Sequence, residues 1–470
     1  MLGLDVLHNV YLRASARPIF ALLEAMELSD LDLASLFSDP DANRTVRDEI
    51  LSRLRANKGT GAISVTNLVS PRQAFYRAKF PDIEIPLERR ESMLAGTGFH
   101  DHFIRRVATE ATMEQTLEWE GIVGRVDIYD KLPLEIKTTD SPIDPTDVKR
   151  VRPSYLEQLG IYCGMANKER GHLLIFSRSG DQVLAGFSAD FGYISGIRRE
   201  ILRRRDAFRA ALKSGDPSNL PNCPFAGTRC VYFEKGVCTC DPTVPPTYAI
   251  ASLSKVAPNP LLANEFAKRY AEATALGPTA EISVFDLLRP REAYFRGLPG
   301  DEGDEEDVKD SLRAADTYAL YREFKRACFR GSDIRAETLA RNEVKGRVEF
   351  HDGRVLVFTK CGFVEPVKRY FLTRTFPEPF LKLGFTCVLA GRGRGRLVVW
   401  YPKIADEEAR ILVYDVTLND LRPFAKEMDD RAAALKEARV AGDHSRLPKC
   451  QPWRAKFCDF ADRCGCGTPG

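Results

Sequence analysis

Long hydrophobic runs are missing from this sequence, and none approaches the roughly 18 apolar residues that a membrane-spanning helix requires. Met1 is not followed by a basic stretch, an apolar stretch and a cleavage site. We therefore expect a cytoplasmic protein that is not embedded in a membrane. An excess of one charge is also missing, since 69 Lys and Arg residues face 66 Asp and Glu residues for a formal net charge of +3. Any surface for a polyanion must therefore be a local patch.

The phosphate-binding pattern Gly-x-x-x-x-Gly-Lys-Ser/Thr is absent, so work driven by ATP would require a partner protein. What the chain does contain is enough apolar material for two or three packed domains, with 470 residues of which 44% are hydrophobic. It also contains 12 cysteines. Without an export signal, so many cysteines favour metal ligation over disulfides.

The chain contains two copies of one unit. Residues 63–77 and 282–296 are identical at eight of fifteen positions. The match continues in register between residues 124–127 and 346–349, and again between residues 159–173 and 383–397. We expect four segments: a helical N-terminal segment at 1–60, the first copy at 61–240, a Pro-rich linker and helix at 241–280, and the second copy at 281–470.

The richest chemistry lies in two apolar-rich runs around a polar reversal at residues 129–132. This pattern predicts two antiparallel strands. If the turn centres on Lys131, Asp127 and Glu135 lie opposite each other, and Glu135 and Lys137 share a face. Two neighbouring carboxylates are costly unless a cation lies between them. Oxygen ligands favour Mg²⁺ or Mn²⁺, beside which Lys137 would orient or deprotonate a water molecule or balance charge on a phosphate.

Two predicted helices flank this strand pair. The first carries Gly96-Thr-Gly-Phe-His100, and His102 competes with His100 for any functional role. The second carries Gln158 and Tyr162, which are four residues apart and so lie on one helical face. Taken alone, each of these side chains is also consistent with a purely structural role in a packed helix.

Each copy ends in four cysteines within about 20 residues. The first set is Cys223, Cys230, Cys238 and Cys240, and the second set is Cys450, Cys458, Cys464 and Cys466. Four thiolates in so short a stretch indicate a bound metal centre, and both zinc and a [4Fe–4S] cluster accept four thiolates. In either case the centre would hold a C-terminal tail that has no hydrophobic core of its own.

Taken in chain order, these motifs resemble the RecB-like branch of the PD-(D/E)XK nucleases. The motifs are Gly96-x-x-x-His100, Asp127, Glu135-x-Lys137, Gln158-x-x-x-Tyr162 and the terminal cysteines. The chain is most similar to the iron–sulfur members, such as the CRISPR-associated adaptation nucleases and the nuclease domain of the AddB helicase–nuclease subunit. The resemblance implies an α/β fold with two tandem restriction-endonuclease-like domains, each a mixed sheet flanked by helices and closed by a four-cysteine metal centre.

The resemblance also implies roles for individual residues. It implies that His100, Asp127, Glu135 and the carbonyl of Ile136 bind Mg²⁺ or Mn²⁺, and that Lys137 activates or positions the attacking water. Gln158 and Tyr162 are similar to the pair that supports the lysine and the DNA backbone.

The cysteine pattern departs from the family at one position. Iron–sulfur members place one cysteine just before the Pro-Arg of the first helix, where this chain has Ser70 and Arg289. The fourth cysteine of each terminal set would replace it. The expectation is therefore two [4Fe–4S] clusters, or alternatively two Zn²⁺ ions.

The second copy lacks the charged set. When the two copies are aligned, Val357 and Thr359 stand where the first copy has Glu135 and Lys137. The other site residues of the first copy are also replaced: Asp127 by Glu349, Gln158 by Lys382, Tyr162 by Thr386, and His100 by a residue near Tyr318. Since valine and threonine neither hold a cation nor activate water, we expect this copy to be catalytically inactive.

Two arginine-rich stretches are candidates for contact with nucleic-acid phosphates. They contain Arg198, Arg199, Arg203, Arg204 and Arg205 on a predicted helix at 197–212, and Arg392, Arg394 and Arg396 between glycines. A solvated surface face is the alternative for both.

Two functions follow from the sequence. The first is a metal-dependent nuclease that acts on DNA, on single strands or ends, in repair, recombination or defence. The second is a DNA-binding scaffold that partners a helicase or an integrase and cuts little or nothing by itself. RNA stays open as a substrate.

Overall fold

A computed structural model gives the structure of the chain. It describes residues 31–38, 40–56, 63–179, 183–223, 230–274, 281–297, 305–368, 372–449 and 460–466. Within these ranges, no helix is both long enough and apolar enough to cross a membrane.

Runs of strands and runs of helices follow one another along the chain. The strands are β1 (Asp41–Ala42), β2 (Ile63–Ser64), β3 (Met113–Trp119), β4 (Ile122–Tyr129), β5 (Pro133–Thr139), β6 (Arg170–Ser177), β7 (Leu184–Asp190), β8 (Lys255–Pro258), β9 (Ile282–Ser283), β10 (Ile334–Arg341), β11 (Val344–His351), β12 (Arg354–Lys360), β13 (Arg394–Trp400) and β14 (Ile411–Thr417). The helices of the first half are α1 (Leu33–Leu36), α2 (Arg44–Arg55), α3 (Val65–Val69), α4 (Pro71–Lys79), α5 (Leu87–Val107), α6 (Val148–Val151), α7 (Pro153–Ala166), α8 (Ile194–Ser214), α9 (Val231–Glu234), α10 (Ala249–Ser252) and α11 (Pro260–Thr274). Those of the second half are α12 (Val284–Leu288), α13 (Pro290–Arg296), α14 (Glu305–Cys328), α15 (Leu372–Thr375), α16 (Pro377–Ala390), α17 (Arg422–Ala441) and α18 (Ala461–Cys464).

The chain divides into two compact units, and each is built on a mixed sheet flanked by helices. The first-copy unit comprises Ser52–Ala275 and Gly303–Cys328, and the second-copy unit comprises Met1–Leu51, Leu276–Glu302 and Phe329–Gly470. The α/β architecture with two units is therefore as predicted. The sheet of the first-copy unit has the order β2-β4-β5-β6-β7-β8, with β3 paired to the other edge of β4.

The second sheet repeats this topology. Its order is β1-β14-β13-β12-β11-β10, and β9 runs parallel to β11 as β2 runs parallel to β4. In both sheets the strand after the hairpin pairs in parallel with the strand that follows a long helix, β5 with β6 and β12 with β13. The internal duplication seen in the sequence is thus a duplication of sheet topology.

The two units exchange segments, so their boundaries differ from the expected ones at 61, 241 and 281. Residues of the expected linker form β8, which pairs with β7 and completes the first sheet. Residues of the expected N-terminal helical segment form β1, which pairs with β14 of the second sheet. Helix α14, from the sequence of the second copy, belongs to the first-copy unit. The physical reason is that β7 and β14 would otherwise present unpaired backbone groups, and a short strand from elsewhere in the chain covers each edge.

The sheet of the first-copy unit is covered on both faces. One face packs against α7 through a core that includes Leu159, Leu173 and Ile175. The other face packs against α5, α11 and α14 through a core that includes Phe99, Ile136 and Leu312. The residues of β5 that carry candidate chemistry therefore lie in a strand buried between two helical layers.

Candidate functional site

The hairpin of β4 and β5 positions the acidic pair. Ile128 pairs with Leu134 and Tyr129 pairs with Pro133, which centres the turn on Lys131 and confirms the predicted register. Continuing this register brings Asp127 and Glu135 to facing positions. The main-chain N–H of Ile136 donates a hydrogen bond of 2.7 Å to Oδ2 of Asp127, so the aspartate carboxylate lies against β5.

Helix α5 decides between the two candidate histidines. Nδ1 of His100 lies 3.7 Å from Oδ2 of Asp127. His102 is buried on a different face of the helix, where its Nε2 lies 3.1 Å from the hydroxyl of Tyr270. Burial, with the nearby Arg106 and Arg322 guanidinium groups, lowers the pKa of His102 to about 4. Of the two residues, His100 is therefore the one that joins the site.

Glu135, Lys137 and Gln158 form one hydrogen-bonded cluster between β5 and α7. The ammonium of Lys137 donates to Glu135 Oε1 at 2.5 Å and to Gln158 Oε1 at 3.0 Å. The Gln158 amide nitrogen donates to the same oxygen of Glu135 at 2.6 Å. The hydroxyl of Tyr162 donates to the carbonyl of Arg125 at 2.8 Å, which ties α7 to β4 one turn further along the helix.

Close packing of α7 against β4 requires a glycine at position 124. A Cβ atom there would lie 2.7 Å from the ring of Tyr162 and 2.5 Å from Val65. Gly346 in the second copy faces the same constraint, since a Cβ atom there would lie 2.7 Å from Leu389. The repeated Gly-Arg-Val sequence therefore reflects packing of the helix on the hairpin, and Asp127 is placed by that packing.

The acids and the lysine of this site perturb one another. Burial raises the pKa of Glu135 to about 8, and the Asp127 carboxylate adds to the rise. Burial also acts to raise the pKa of Asp127, but His100 and Lys137 outweigh it and the pKa falls below its usual value. Burial acts to lower the pKa of Lys137, but the two carboxylates outweigh it and the pKa rises. The two carboxylates thus carry more negative charge than the Lys137 ammonium offsets, and Glu135 is the acid whose pKa rises.

Asp127 and Glu135 supply oxygen donors of the kind that a hard divalent cation prefers. Oε2 of Glu135 is buried and accepts no hydrogen bond from the described part of the protein. A buried carboxylate oxygen without a partner is costly, and a cation would supply that partner. In the described ranges no three His, Cys, Asp or Glu side chains already stand arranged to hold a metal ion. Lys137 and Gln158 donate hydrogen bonds to the other carboxylate oxygen, Oε1, of Glu135. The main-chain N–H of Ile136 donates one to Asp127.

Sequence inspection missed Tyr155, which lies one turn before Gln158 on α7. Its hydroxyl donates to the carbonyl of Thr138 at 3.2 Å, and the ammonium of Lys137 lies 5.9 Å from its ring centroid. The spacing of Tyr155 and Gln158 could have indicated this contact, because residues three apart on a helix share a face. Tyr155 thus adds an aromatic wall to the surroundings of the lysine.

The second copy lacks this cluster in three dimensions as well. Strand β12 pairs Val357 with Leu397 and Thr359 with Val399, as β5 pairs Glu135 with Leu173 and Lys137 with Ile175. Val357 belongs to the hydrophobic core beneath α16. Lys382, the counterpart of Gln158, has a pKa lowered chiefly by burial. A buried valine and a lysine now occupy the positions of an acid and an amide.

The four cysteines of the first tail lie together. Hydrogen bonds with Cys223 and Cys238 lower the pKa of Cys230, and the same two neighbours lower the pKa of Cys240. The pKa of Cys238 rises because it donates to Cys230 and Cys240. The main-chain N–H of Cys240 also points to the sulfur of Cys238 at 3.4 Å. The four thiols are therefore neighbours that hydrogen-bond to one another.

The second tail repeats the Cys-x-Cys turn. The main-chain N–H of Cys466 lies 3.4 Å from the sulfur of Cys464, the same contact as in the first tail. Cys450 and Cys458 lie outside the described residues. The structure therefore describes half of the second predicted set.

An arginine anchors each tail to the helix that opens its copy. Arg72 of α4 donates to the carbonyls of Ser218, Leu220 and Thr239. Arg291 of α13 donates likewise to the carbonyls of Ser445, Leu447 and Cys464. The repeated Pro-Arg dipeptide was visible in the sequence, but the contact joins residues about 150 positions apart, which spacing does not reveal.

Two of the eight arginines predicted to contact nucleic acid are structural. Arg204 is buried, and its Nη2 lies 2.5 Å from Oε1 of the buried Glu157. Arg396 is buried and bonded to Asp415 at 2.7 Å and to Asp352 at 2.8 Å. Their guanidinium groups are enclosed and paired, so the prediction that they grip phosphates was wrong.

The other six arginines lie at or near the surface. Arg199, Arg203, Arg392 and Arg394 are exposed, and Arg198 and Arg205 are partly buried. Arg198 lies over the ring of Trp119 at 4.6 Å, and Arg392 donates to the carbonyl of Gly353 at 2.9 Å. Arg203 is paired with Glu200 at 2.7 Å, and Arg205 with Asp206 at 2.8 Å. Contact of these six with nucleic acid stays a prediction.

Comparison with known proteins adds little to this geometry. No protein-family model matches the chain, and no curated protein matches it. Among solved structures, the chain is similar to the one named "Crystal structure of SSO0001", with 20% sequence identity. The match covers 42% of this chain and 96% of that chain, with a TM-score of 0.29. A likeness of this size carries no argument about fold or function.

Proposed function

We propose that this protein is a divalent-metal-dependent deoxyribonuclease, whose first-copy unit is an active RecB-like member of the PD-(D/E)XK superfamily and whose second-copy unit is a degenerate one. The observation that carries the proposal is the convergence of two carboxylates, a lysine and a glutamine at one buried point, where one carboxylate oxygen of Glu135 has no hydrogen-bond partner among the described residues. Its substrate would be single-stranded DNA or DNA ends.

The residues of the site have distinct tasks in this proposal. Asp127, Glu135 and His100, with the carbonyl of Ile136, would hold Mg²⁺ or Mn²⁺. When bound, the ion would lower the pKa of a water molecule and neutralise charge on the scissile phosphate. Lys137 is held at Glu135 by hydrogen bonds, so its ammonium can orient the attacking water or offset charge on the phosphate. Gln158 and Tyr162 orient the lysine through α7.

The four-cysteine tails would each hold a metal centre, either [4Fe–4S] or zinc. The mutual hydrogen bonds of Cys223, Cys230, Cys238 and Cys240 support this for the first tail, since they bring four candidate thiolate ligands together. The role would be structural, because the centre would cross-link a tail that packs on α4 through Val231 and Tyr232 and bonds Arg72 and Tyr76. Metal analysis and visible absorption of anaerobically purified protein distinguish the two metals.

A cleavage assay tests the main proposal. End-labelled single-stranded and double-stranded DNA would be incubated with Mn²⁺ or Mg²⁺ and the wild type, Lys137→Ala or Thr359→Ala. Thr359 is the matched control, because it occupies the position of Lys137 in the second copy. We expect the wild type and Thr359→Ala to cut equally, and Lys137→Ala to lose about 10²–10⁴-fold in rate.

Two outcomes would contradict the proposal. Equal cutting by Lys137→Ala would show that the nuclease activity does not come from this cluster. Tight DNA binding by the wild type without any cutting would favour the alternative, a scaffold that acts with a helicase or an integrase.

A further inference from the structure

Helix α14 comes from the sequence of the second copy but packs within the first-copy unit, against the helix that carries His100. Gly98 of α5 lies at the contact, where an added Cβ atom would approach the carbonyl oxygen of Ala319 to 2.5 Å. Ala319 is fully buried. The two helix backbones therefore approach so closely that only glycine fits at position 98, two residues before His100.

An ion pair fixes the rotation of α5 against α14. Asp101, adjacent to His100, bonds Arg322 of α14. The same carboxylate accepts from Arg105 of its own helix at 2.7 Å and lies 3.6 Å from Arg326 of α14. Because His100 and Asp101 are neighbours on one turn, a displacement of Asp101 changes the direction in which His100 points.

A second ion pair connects α14 to the C-terminal ends of β5 and β6. Asp316 accepts two hydrogen bonds from Arg178, at 2.8 and 3.0 Å, and is 9% exposed. Arg178 also donates to Asp140 at 3.1 Å, and its main-chain N–H donates to the carbonyl of Thr139 at 2.9 Å. Thr139 is the last residue of β5, two positions after Lys137.

We infer that Arg322 and Asp316 of α14 are positioning residues for the metal site of the first copy, and that the degenerate copy contributes this helix to the active one. The inference rests on the proposed function. Helix α14 holds α5 on one side of the site and the end of β5 on the other, so it sets the separation of His100 from Asp127. Outer residues that orient metal ligands typically change metal affinity about 10- to 100-fold when removed.

The test compares Arg322→Gln and Asp316→Asn with Arg105→Gln. Arg105 is the matched control, because it bonds the same Asp101 carboxylate from α5 itself, so this ion pair does not join α5 to α14. Two quantities are measured on each full-length protein: the Mn²⁺ dissociation constant from paramagnetic resonance titration, and the rate at which His100 of the metal-free protein reacts with diethyl pyrocarbonate, read by peptide mass spectrometry. Arg322→Lys serves as the conservative rescue, and a thermal melt confirms that each variant is folded.

We expect Arg322→Gln and Asp316→Asn to weaken Mn²⁺ binding about 10-fold and to expose His100 to faster modification. Arg105→Gln should match the wild type, and Arg322→Lys should recover most of the affinity. Folded variants with unchanged His100 reactivity and unchanged Mn²⁺ affinity would overturn the inference. If the wild type itself binds no Mn²⁺, the proposed function fails, whereas the reactivity of His100 still decides whether α14 positions it.

Discussion

Replacing Arg204 with methionine should destabilise the first-copy unit strongly. Arg204 lies on α8, and its guanidinium meets Glu157 of α7 in a pair whose two side chains are both buried. Glu157 also accepts from the main-chain N–H groups of Ala251 at 2.6 Å and Ile250 at 3.3 Å. The pair therefore joins three helices at one buried point, next to the residue, Gln158, that faces the acidic cluster.

The magnitude follows from the burial of both partners. Removing one member of a buried ion pair typically costs about 3–5 kcal/mol, because the remaining charge has lost its counterion. For a unit of about 250 residues, this corresponds to a fall in melting temperature of roughly 6–20 °C. Burial already raises the pKa of Glu157, so we expect that carboxyl to take up a proton in the variant.

Calorimetry or thermal circular dichroism measures the effect, with Arg203→Met as the matched control. Arg203 is the preceding residue on the same helix, but its side chain is 58% exposed, so its guanidinium is in contact with water, and Glu200 keeps its bond from Arg204 when Arg203 is replaced. Ion pairs exposed to water contribute about 0–1 kcal/mol. The double variant Glu157→Gln/Arg204→Met should recover much of the lost stability, because it removes the unpaired charge. If Arg204→Met melts at the same temperature as Arg203→Met, the assignment of Arg204 as a buried structural residue is refuted.

Two further predictions concern α5 and α7. The folded protein keeps His102 neutral because burial lowers its pKa to about 4, whereas the unfolded chain takes up that proton near its ordinary pKa of about 6.5. Stability of the metal-free protein should therefore fall by up to about 3 kcal/mol as the pH drops from 6.5 towards 4, and urea titrations of His102→Gln should show a flatter pH profile. Gly124→Ala should lower the free energy of unfolding by about 1–3 kcal/mol, because the new methyl group would press on the ring of Tyr162. It should also slow the proposed DNA cleavage. Gly331→Ala is its control, because no atom of the described residues lies within 4 Å of the added carbon there, and equal melting temperatures for the two variants would contradict close packing of Tyr162 on Gly124.

Much of the candidate site was visible in the sequence because its determinants are local. The turn at Lys131 sets the register of β4 and β5, and an alternating strand places Glu135 and Lys137 on one face. Helical spacing places Gln158 and Tyr162 together, and in the structure the Gln158 amide bonds Glu135 and lies 3.5 Å from the hydroxyl of Tyr162. The choice between His100 and His102 was not local, because it depends on which face of α5 meets the hairpin and which meets Tyr270.

The duplicated sequence was enough to predict two similar α/β units, the turn of the first hairpin at Lys131, and the copy that retains the charged set. Which segments complete each sheet depends on contacts between distant parts of the chain. Strands β1 and β8 are two and four residues long, too short to carry a hydrophobic pattern of their own, so their partners are chosen by the free edges of β14 and β7. Arg204 and Arg396 are likewise buried because acids from other elements, Glu157 and Asp415, pair with them. A guanidinium is buried only where such a partner offsets its loss of water.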